Sequence, residues 1–358
     1  MVRGSNFNDT LIGGNPKFDN NERFEGLAGN DFIDGGSGND EADYSSSTAA
    51  VLVNLDTGTA ADGFGGTDTL VSMEWARGGD FNDKLIGGSN ALERFTGGAG
   101  NDSIDGGSMT GVNYASFILG GTSGANASVA NGVGTASDDG QGGTDTLMNI
   151  NGLWGSNFND TLTGGVGDQW FIGSGGNDAI DGGEDIDTVS YASDPNGVTV
   201  DLDTGTATDG WGGIWGLQGT DTLISIENVE GSNFNDSLTG DDGENTLAGG
   251  GGNDVLTGGF ADDIFDYNAL SDAGTTGDVI TDFQAGGGDV LDLHDLLVSI
   301  GAAADPFASG SGHLRFFDAG SDTLVQIDSD GGNDSYVTLA TLTGVLDPSL
   351  ISASDYVL

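Results

Sequence analysis

Carboxylates recur in this chain at a nine-residue spacing. Between 231 and 266 the sequence reads GSNFNDSLT, GDDGENTLA, GGGGNDVLT and GGFADDIFD, four units end to end. Each offers a glycine-rich loop with a side-chain acceptor at its sixth position, then three residues centred on an apolar one. Oxygens repeated at a fixed rise suit a hard cation, which draws six or more ligands from carboxylates and carbonyls. The chemistry on offer is coordination.

The elements that must position these oxygens follow from the same spacing. The eighth positions are Leu11, Phe24, Ile33 and Ala42 in the first block, Leu162, Phe171, Ile180 and Val189 in the third, and Leu238, Leu247, Leu256 and Phe265 in the fourth. One inward apolar side chain per three-residue strand describes a thin parallel solenoid, in which stacked coils bury what one coil cannot. The loops are rich in Gly because their backbone must visit left-handed conformations.

A longer period contains the short one. Asn-Phe-Asn-Asp, or Asp-Phe-Asn-Asp, ends at Asp9, Asp83, Asp160 and Asp236; Gly-Thr-Asp-Thr-Leu ends at Leu70, Leu147 and Leu223; a tyrosine follows each block at 44, 114, 191 and 267. Residues 1–78, 79–154 and 155–230 read as three modules, 231–266 as a fourth nonapeptide block, and 267–358 as a capping region. Between blocks lie connectors such as Val51–Leu55 and Val198–Leu202, whose alternation predicts strands, as does 222–229. We read the connectors as wider coils of the same solenoid, with separate small β domains as the alternative.

Composition bounds the partners. The 358 residues include 68 Gly and 4 Pro, and of 57 acidic residues nine are Glu, leaving 48 Asp. Asp with Gly and Asn marks turns and oxygen ligation rather than helix surfaces. A net charge of −50 argues against nucleic acid or an anionic membrane as partners. It also opposes compaction unless counter-ions bind the folded form. Cysteine is absent, which removes thiolate metal sites and thiol catalysis. No stretch is long and apolar enough to span a membrane, and the N-terminus lacks a hydrophobic signal segment.

The units GGSGNDEAD (35–43), GGAGNDSID (97–105) and GGGGNDVLT (249–257) resemble the repeats-in-toxin (RTX) nonapeptide, GGxGxDxUx. Their recurrence in register over most of 4–266 makes the resemblance specific. It implies an all-β fold, a right-handed parallel β-roll with two nonapeptides per turn and a β-rich cap. It also implies multiple Ca²⁺ ions between stacked loops. Carried onto this sequence, the carboxylate ligands would be Asp9, Asp31, Asp40, Asp83, Asp102, Asp160, Asp178, Asp187, Asp236, Asp254 and Asp263. The loop carbonyls would come from Gly26, Gly29, Gly35, Gly36, Gly38, Gly97, Gly98, Gly100, Gly176, Gly249, Gly250 and Gly252.

Same-side stacking pairs each unit with the next but one. First and third units give Asp9/Asp31, Asp83/Asp102, Asp160/Asp178 and Asp236/Asp254. Second and fourth units give Glu22/Asp40, Glu93/Gly111, Gln169/Asp187 and Asn245/Asp263. The expectation is one well-formed calcium column and a poorer one facing it, poorest where GGSMTGVNY (106–114) has lost the pattern.

After Asp266 the texture changes, with a short helix expected at 294–300 and strands at 313–317, 323–328 and 335–339. This region resembles the C-terminal cap and uncleaved signal of proteins exported by type I secretion machinery, which implies a secreted, extracellular protein, either free or cell-surface associated. No catalytic constellation is visible. His294 and His313 lie outside any HExxH, and no serine lies in GxSxG. The expected function is a non-enzymatic, calcium-folded extracellular structural, surface or adhesion element. The alternatives are the export module of a larger enzyme, toxin or adhesin, since a repeat begins almost at Met1, and a head-to-tail fibre subunit that self-associates.

Overall fold

A computed structural model describes residues 1–14, 21–118, 121–211, 219–302, 306–307, 312–330 and 335–358. It divides into two compact units, Met1–Asp185 and Ile186–Leu358.

In the first unit, strands of mostly three residues alternate between two sheets. One sheet is parallel throughout and takes Val2–Arg3, Arg23–Glu25, Glu41–Asp43, Trp75–Arg77, Leu92–Thr96, Val112–Ser116, Gly152–Trp154 and Trp170–Ile172 in that order. The other contains Thr10–Ile12, Phe32–Asp34, Lys84–Ile86, Ser103–Asp105, Thr161–Thr163 and Ala179–Asp181. The pairings Leu11↔Ile33 and Leu162↔Ile180 set the central apolar residues in register. All twelve eighth-position residues named above are buried. Each such Leu, Ile or Phe stabilises by about 1.5–3 kcal/mol relative to exposure, and the stack makes those contributions continuous.

The connectors differ from the wider coils expected. In the first unit, Thr67–Val71 lies parallel to Phe32–Asp34, then Thr59–Ala61 and Leu52–Asn54 follow antiparallel, and Leu52–Asn54 returns parallel to Lys84–Ile86. Asp145–Met148, Val133–Asp138 and Asn126–Ala130 repeat the arrangement. The reversal is local. Asn54 Oδ1 accepts the Thr57 N–H at 2.9 Å and Gly58 takes φ +64°, and a turn this tight joins only antiparallel strands.

In the second unit, Thr188–Ser190, Asn228–Glu230, Thr246–Ala248, Ile264–Asp266, Val290–Asp292 and Tyr356–Val357 form a parallel sheet. Opposite it, Thr199–Asp201, Ser237–Thr239, Val255–Thr257, Asp278–Ile280 and Val337–Leu342 run parallel. Each end of that sheet carries an antiparallel meander, through Thr206–Thr208 to Thr220–Ile224 and through Thr323–Ile327 to Leu314–Asp318. The helix spans His294–Ser299. The alternating run at 222–229 is two strands in two sheets, broken where Ser225 takes φ +49°; Ser72 (+50°) and Asn149 (+53°) turn the same corner in the first unit.

Candidate metal centre

The loops repeat one hydrogen-bond pattern. The backbone N–H of a sixth-position residue donates to Oδ1 of the carboxylate one coil on. The bonds are Asp9 to Asp31 (2.7 Å), Asp83 to Asp102 (2.7 Å), Asp160 to Asp178 (2.8 Å) and Asp236 to Asp254 (2.8 Å). On the facing edge Glu22 donates to Asp40 (2.8 Å) and Asn245 to Asp263 (2.9 Å). The Asp187 N–H donates to Glu227 Oε2 at 2.8 Å.

The second carboxylate oxygen separates the sites. In Asp9, Asp160 and Asp236, Oδ2 accepts the N–H of the loop serine (Ser5, Ser156, Ser232); the Ser5 hydroxyl also donates to Oδ2, the Ser156 hydroxyl to Oδ1, and the Ser232 hydroxyl lies within reach of both oxygens. Asp83 Oδ2 accepts the Gly79 N–H. By contrast Oδ2 of Asp31, Asp40, Asp102, Asp254 and Asp263 is buried with no hydrogen-bond partner. An uncompensated buried carboxylate oxygen is costly.

First-position glycines form the floor beneath these oxygens. A Cβ on Gly249 would stand 2.5 Å from Asp254 Oδ2, and one on Gly26 or Gly97 would overlap Oδ2 of Asp31 or Asp102. On Gly231 it would lie 2.5 Å from the Gly249 carbonyl oxygen and 2.6 Å from Asp236 Oδ2. Carboxylate and next-coil carbonyl thus converge on space left by a missing side chain. Second-position Gly36, Gly98 and Gly250 back onto Gly14, the Gly79 carbonyl and the Ser232 carbonyl. Fourth-position Gly29, Gly100, Gly176 and Gly252 abut the carbonyls of Phe7, Phe81, Phe158 and Phe234; Gly38 has φ +117°.

One comparison within the first unit bears on what these cradles can hold. Below Gly35, Asp40 Oδ2 and the Ser72 carbonyl oxygen face the same point, a Cβ there standing 2.6 Å from the first and closer still to the second. Both are acceptors. In the next module the equivalent place holds Asn113, whose amide nitrogen donates to the carbonyls of Gly106 (2.9 Å), Ser108 (3.0 Å) and Asn149 (2.9 Å). An N–H donor satisfies the carbonyls in one module; an acceptor facing an acceptor in the other needs a cation or a proton between them. Asn245 follows the amide pattern, donating to the Glu227 carbonyl at 3.0 Å. The register also corrects the pairing read from sequence, because Glu93 is opposite Asn113 and not Gly111.

Burial pushes the Asp102 carboxyl up to about 8, with the charges of Asp145, Asp83 and Asp139 adding and the Asp83 N–H opposing. Asp254 is likewise raised by burial to about 8, with Asp278, Asp236 and Asp272 adding. Asp263 rises to about 6 and Asp31 and Asp40 are raised, in each case mainly by burial. Among the described residues no three His, Cys, Asp or Glu side chains close on one point. A cation here must therefore take backbone carbonyls as well as carboxylates, a donor set that fits Ca²⁺ and its flexible oxygen coordination.

Sequence reading did not pick out the connector acids Asp68, Asp145 and Glu74. Asp31 N–H donates to Asp68 Oδ1 (2.9 Å), Asp102 N–H to Asp145 (2.9 Å) and Asp40 N–H to Glu74 (2.9 Å). The recurrence of Gly-Thr-Asp-Thr-Leu was the available signal.

Parallel three-residue strands, glycine cradles and paired acceptors define a calcium-binding β-roll. The family model of the RTX calcium-binding nonapeptide repeat matches the chain in four copies, at residues 18–44, 93–108, 154–189 and 228–269. The chain carries RTX calcium-binding repeats. No curated protein matches it.

Proposed function

We propose that this chain is a secreted β-roll whose folding is driven by several Ca²⁺ ions, and that it serves as a non-enzymatic extracellular structural, surface or adhesion element. The observation that carries the reading is the unpartnered Oδ2 of Asp40 facing the Ser72 carbonyl where Asn113 supplies an N–H instead. With 57 acids against 7 Lys and Arg, the metal-free chain repels itself, and an ion that binds only the folded form stabilises it by linkage. Low calcium inside a cell would keep it extended for a type I exporter, and high calcium outside would fold it. The repeats support this route because they are calcium-binding, and among the described residues no helix is long and apolar enough to cross a membrane. Circular dichroism during a calcium titration tests the coupling: β structure should appear cooperatively with calcium and vanish in excess chelator. A chain equally folded in chelator would refute it.

A further inference from the structure

Two connector aspartates lie outside every stretch matched by the repeat family and share one geometry. Asp62 is fully buried, and its Oδ1 accepts the N–H groups of Phe64, Gly65 and Gly66, each at 2.8 Å. Its Oδ2 has no partner. A Cβ on Gly66 would stand 2.6 Å from that oxygen and closer still to the Gly29 carbonyl oxygen of the neighbouring coil. One module later Asp139, 1 % exposed, accepts from Gln141 (2.6 Å), Gly142 (2.7 Å) and Gly143 (3.2 Å) through Oδ1, and its Oδ2 is also unpartnered. The matching Cβ on Gly143 would lie 2.8 Å from Asp139 Oδ2 and closer to the Gly100 carbonyl oxygen.

We propose that Asp62 with the Gly29 carbonyl, and Asp139 with the Gly100 carbonyl, form two further cation sites of the calcium type. They are built by the connectors and join them to the third nonapeptide of each module. Three N–H donors fix one carboxylate oxygen and so aim the other, and an acceptor pair with no donor between them requires either a cation or a proton. Asp31 and Asp102, whose Oδ2 atoms are also unpartnered, feel the charges of Asp62 and Asp139 and would share in the neutralisation. Asp68 does not compete, because Tyr44 donates its hydroxyl to Asp68 Oδ2 at 3.0 Å. A connector held this way folds with the nonapeptides rather than after them. The proposal rests on calcium binding by the repeats but adds ions that those repeats do not account for.

Native mass spectrometry of the full chain in calcium tests it. Asp62→Asn and Asp139→Asn should each bind one ion fewer than the parent and the double variant two fewer, while Asp56→Asn, an exposed connector acid, should bind the full number. Folding is not expected to fail, since an amide can donate to the carbonyl as Asn113 does; circular dichroism of each variant in calcium checks it. Unchanged stoichiometry in D62N and D139N would mean a proton bridges each pair. That result overturns the proposal and leaves the nonapeptide reading standing. A parent that binds no calcium would overturn both. Should a variant not fold, anomalous scattering from calcium in crystals of the parent decides: a peak between Asp62 and Gly29 supports the site, and its absence beside peaks in the nonapeptide loops refutes it.

Discussion

Oδ1 of Asp102 accepts the backbone N–H of Asp83 from the preceding coil at 2.7 Å, while Oδ2 of the same buried carboxylate accepts nothing. One oxygen sets the register of the roll and the other is open to the ion we propose. Asp102→Asn should separate the two roles: the amide keeps the acceptor for Asp83 and supplies a donor to nearby carbonyls. In chelator the variant should be more stable than the parent by about 1–3 kcal/mol, the usual cost of a buried unpaired polar group. In saturating calcium it should bind one ion fewer. Circular dichroism in chelator, where the variant should keep more β structure than the parent, and urea unfolding in calcium measure this; a variant with less β structure in chelator would count against the role given to Oδ2.

The same carboxylates make the metal-free fold acid-stabilised. Asp102 and Asp254 titrate near 8 in the fold and Asp145 and Asp278 near 7, against about 4 in an unfolded chain. The folded state therefore holds more protons between those values. Their contribution is fully present below pH 4 and is lost as pH rises through 8. In chelator, whatever β structure circular dichroism detects should therefore be greater at pH 5 than at pH 8. In fixed, subsaturating calcium the order should reverse, because protons compete with the ion.

The cradle floor should tolerate no side chain. A Cβ on Gly249 would stand 2.5 Å from Asp254 Oδ2, whereas one on Gly251, two residues along, meets its nearest atom at 3.4 Å. Gly249→Ala should lose one calcium ion and about 1–3 kcal/mol of calcium-bound stability. Gly251→Ala should change neither by a measurable amount. Isothermal calorimetry on the pair reads both quantities, and equal behaviour would mean the floor is not part of the site.

Much of this was legible because two periods are written in residue types. Leu238, Leu247, Leu256 and Phe265 mark the core at a spacing of nine and are all buried. The Asp9/Asp31 and Asp236/Asp254 pairings follow from the same count, and the hydrogen bonds join those residues. Register failed where the loops change length: Val112–Ser116 pairs Asn113 with Glu93, two residues beyond the position that counting selects. Strand direction in the connectors was also hidden, since alternation reports which face a residue takes and not which way its strand runs. Ser72, Asn149 and Ser225 turn corners at positive φ, a conformation that serine does not advertise. Asp62 reads as an ordinary turn residue because its ligating oxygen is revealed only by the carbonyl of Gly29, 33 positions away in sequence.

The recurring tyrosines show their purpose only in three dimensions. Tyr44 donates to Asp68 Oδ2 at 3.0 Å and Tyr191 to Asp221 Oδ2 at 3.1 Å, so the tyrosine after the first and third blocks secures the aspartate of Gly-Thr-Asp-Thr-Leu. Tyr44→Phe removes the donor and keeps the ring. The variant should lose about 1–3 kcal/mol, because a buried carboxylate oxygen is left unpaired. Thermal unfolding in saturating calcium measures the loss, and a Tm equal to the parent's would show that Asp68 finds another donor.

Asn113 offers the converse experiment, the creation of a site. Its amide nitrogen serves three carbonyls, from Gly106, Ser108 and Asn149, and its backbone N–H donates to Asn151 Oδ1 at 2.8 Å. Asn113→Asp leaves that backbone bond intact and turns the three-carbonyl cage into one with a carboxylate at its centre. With the new site empty, acceptors then face acceptors, so in subsaturating calcium the variant should be less stable than the parent by about 1–3 kcal/mol. With calcium it should bind one ion more than the parent and recover the loss, because the oxygen set becomes that of Asp40 and Ser72. Ion counting by native mass spectrometry, paired with urea unfolding at two calcium levels, reads both. A variant destabilised equally at both calcium levels, with no added ion, would show that acceptor pairing alone does not make a site and that loop shape decides.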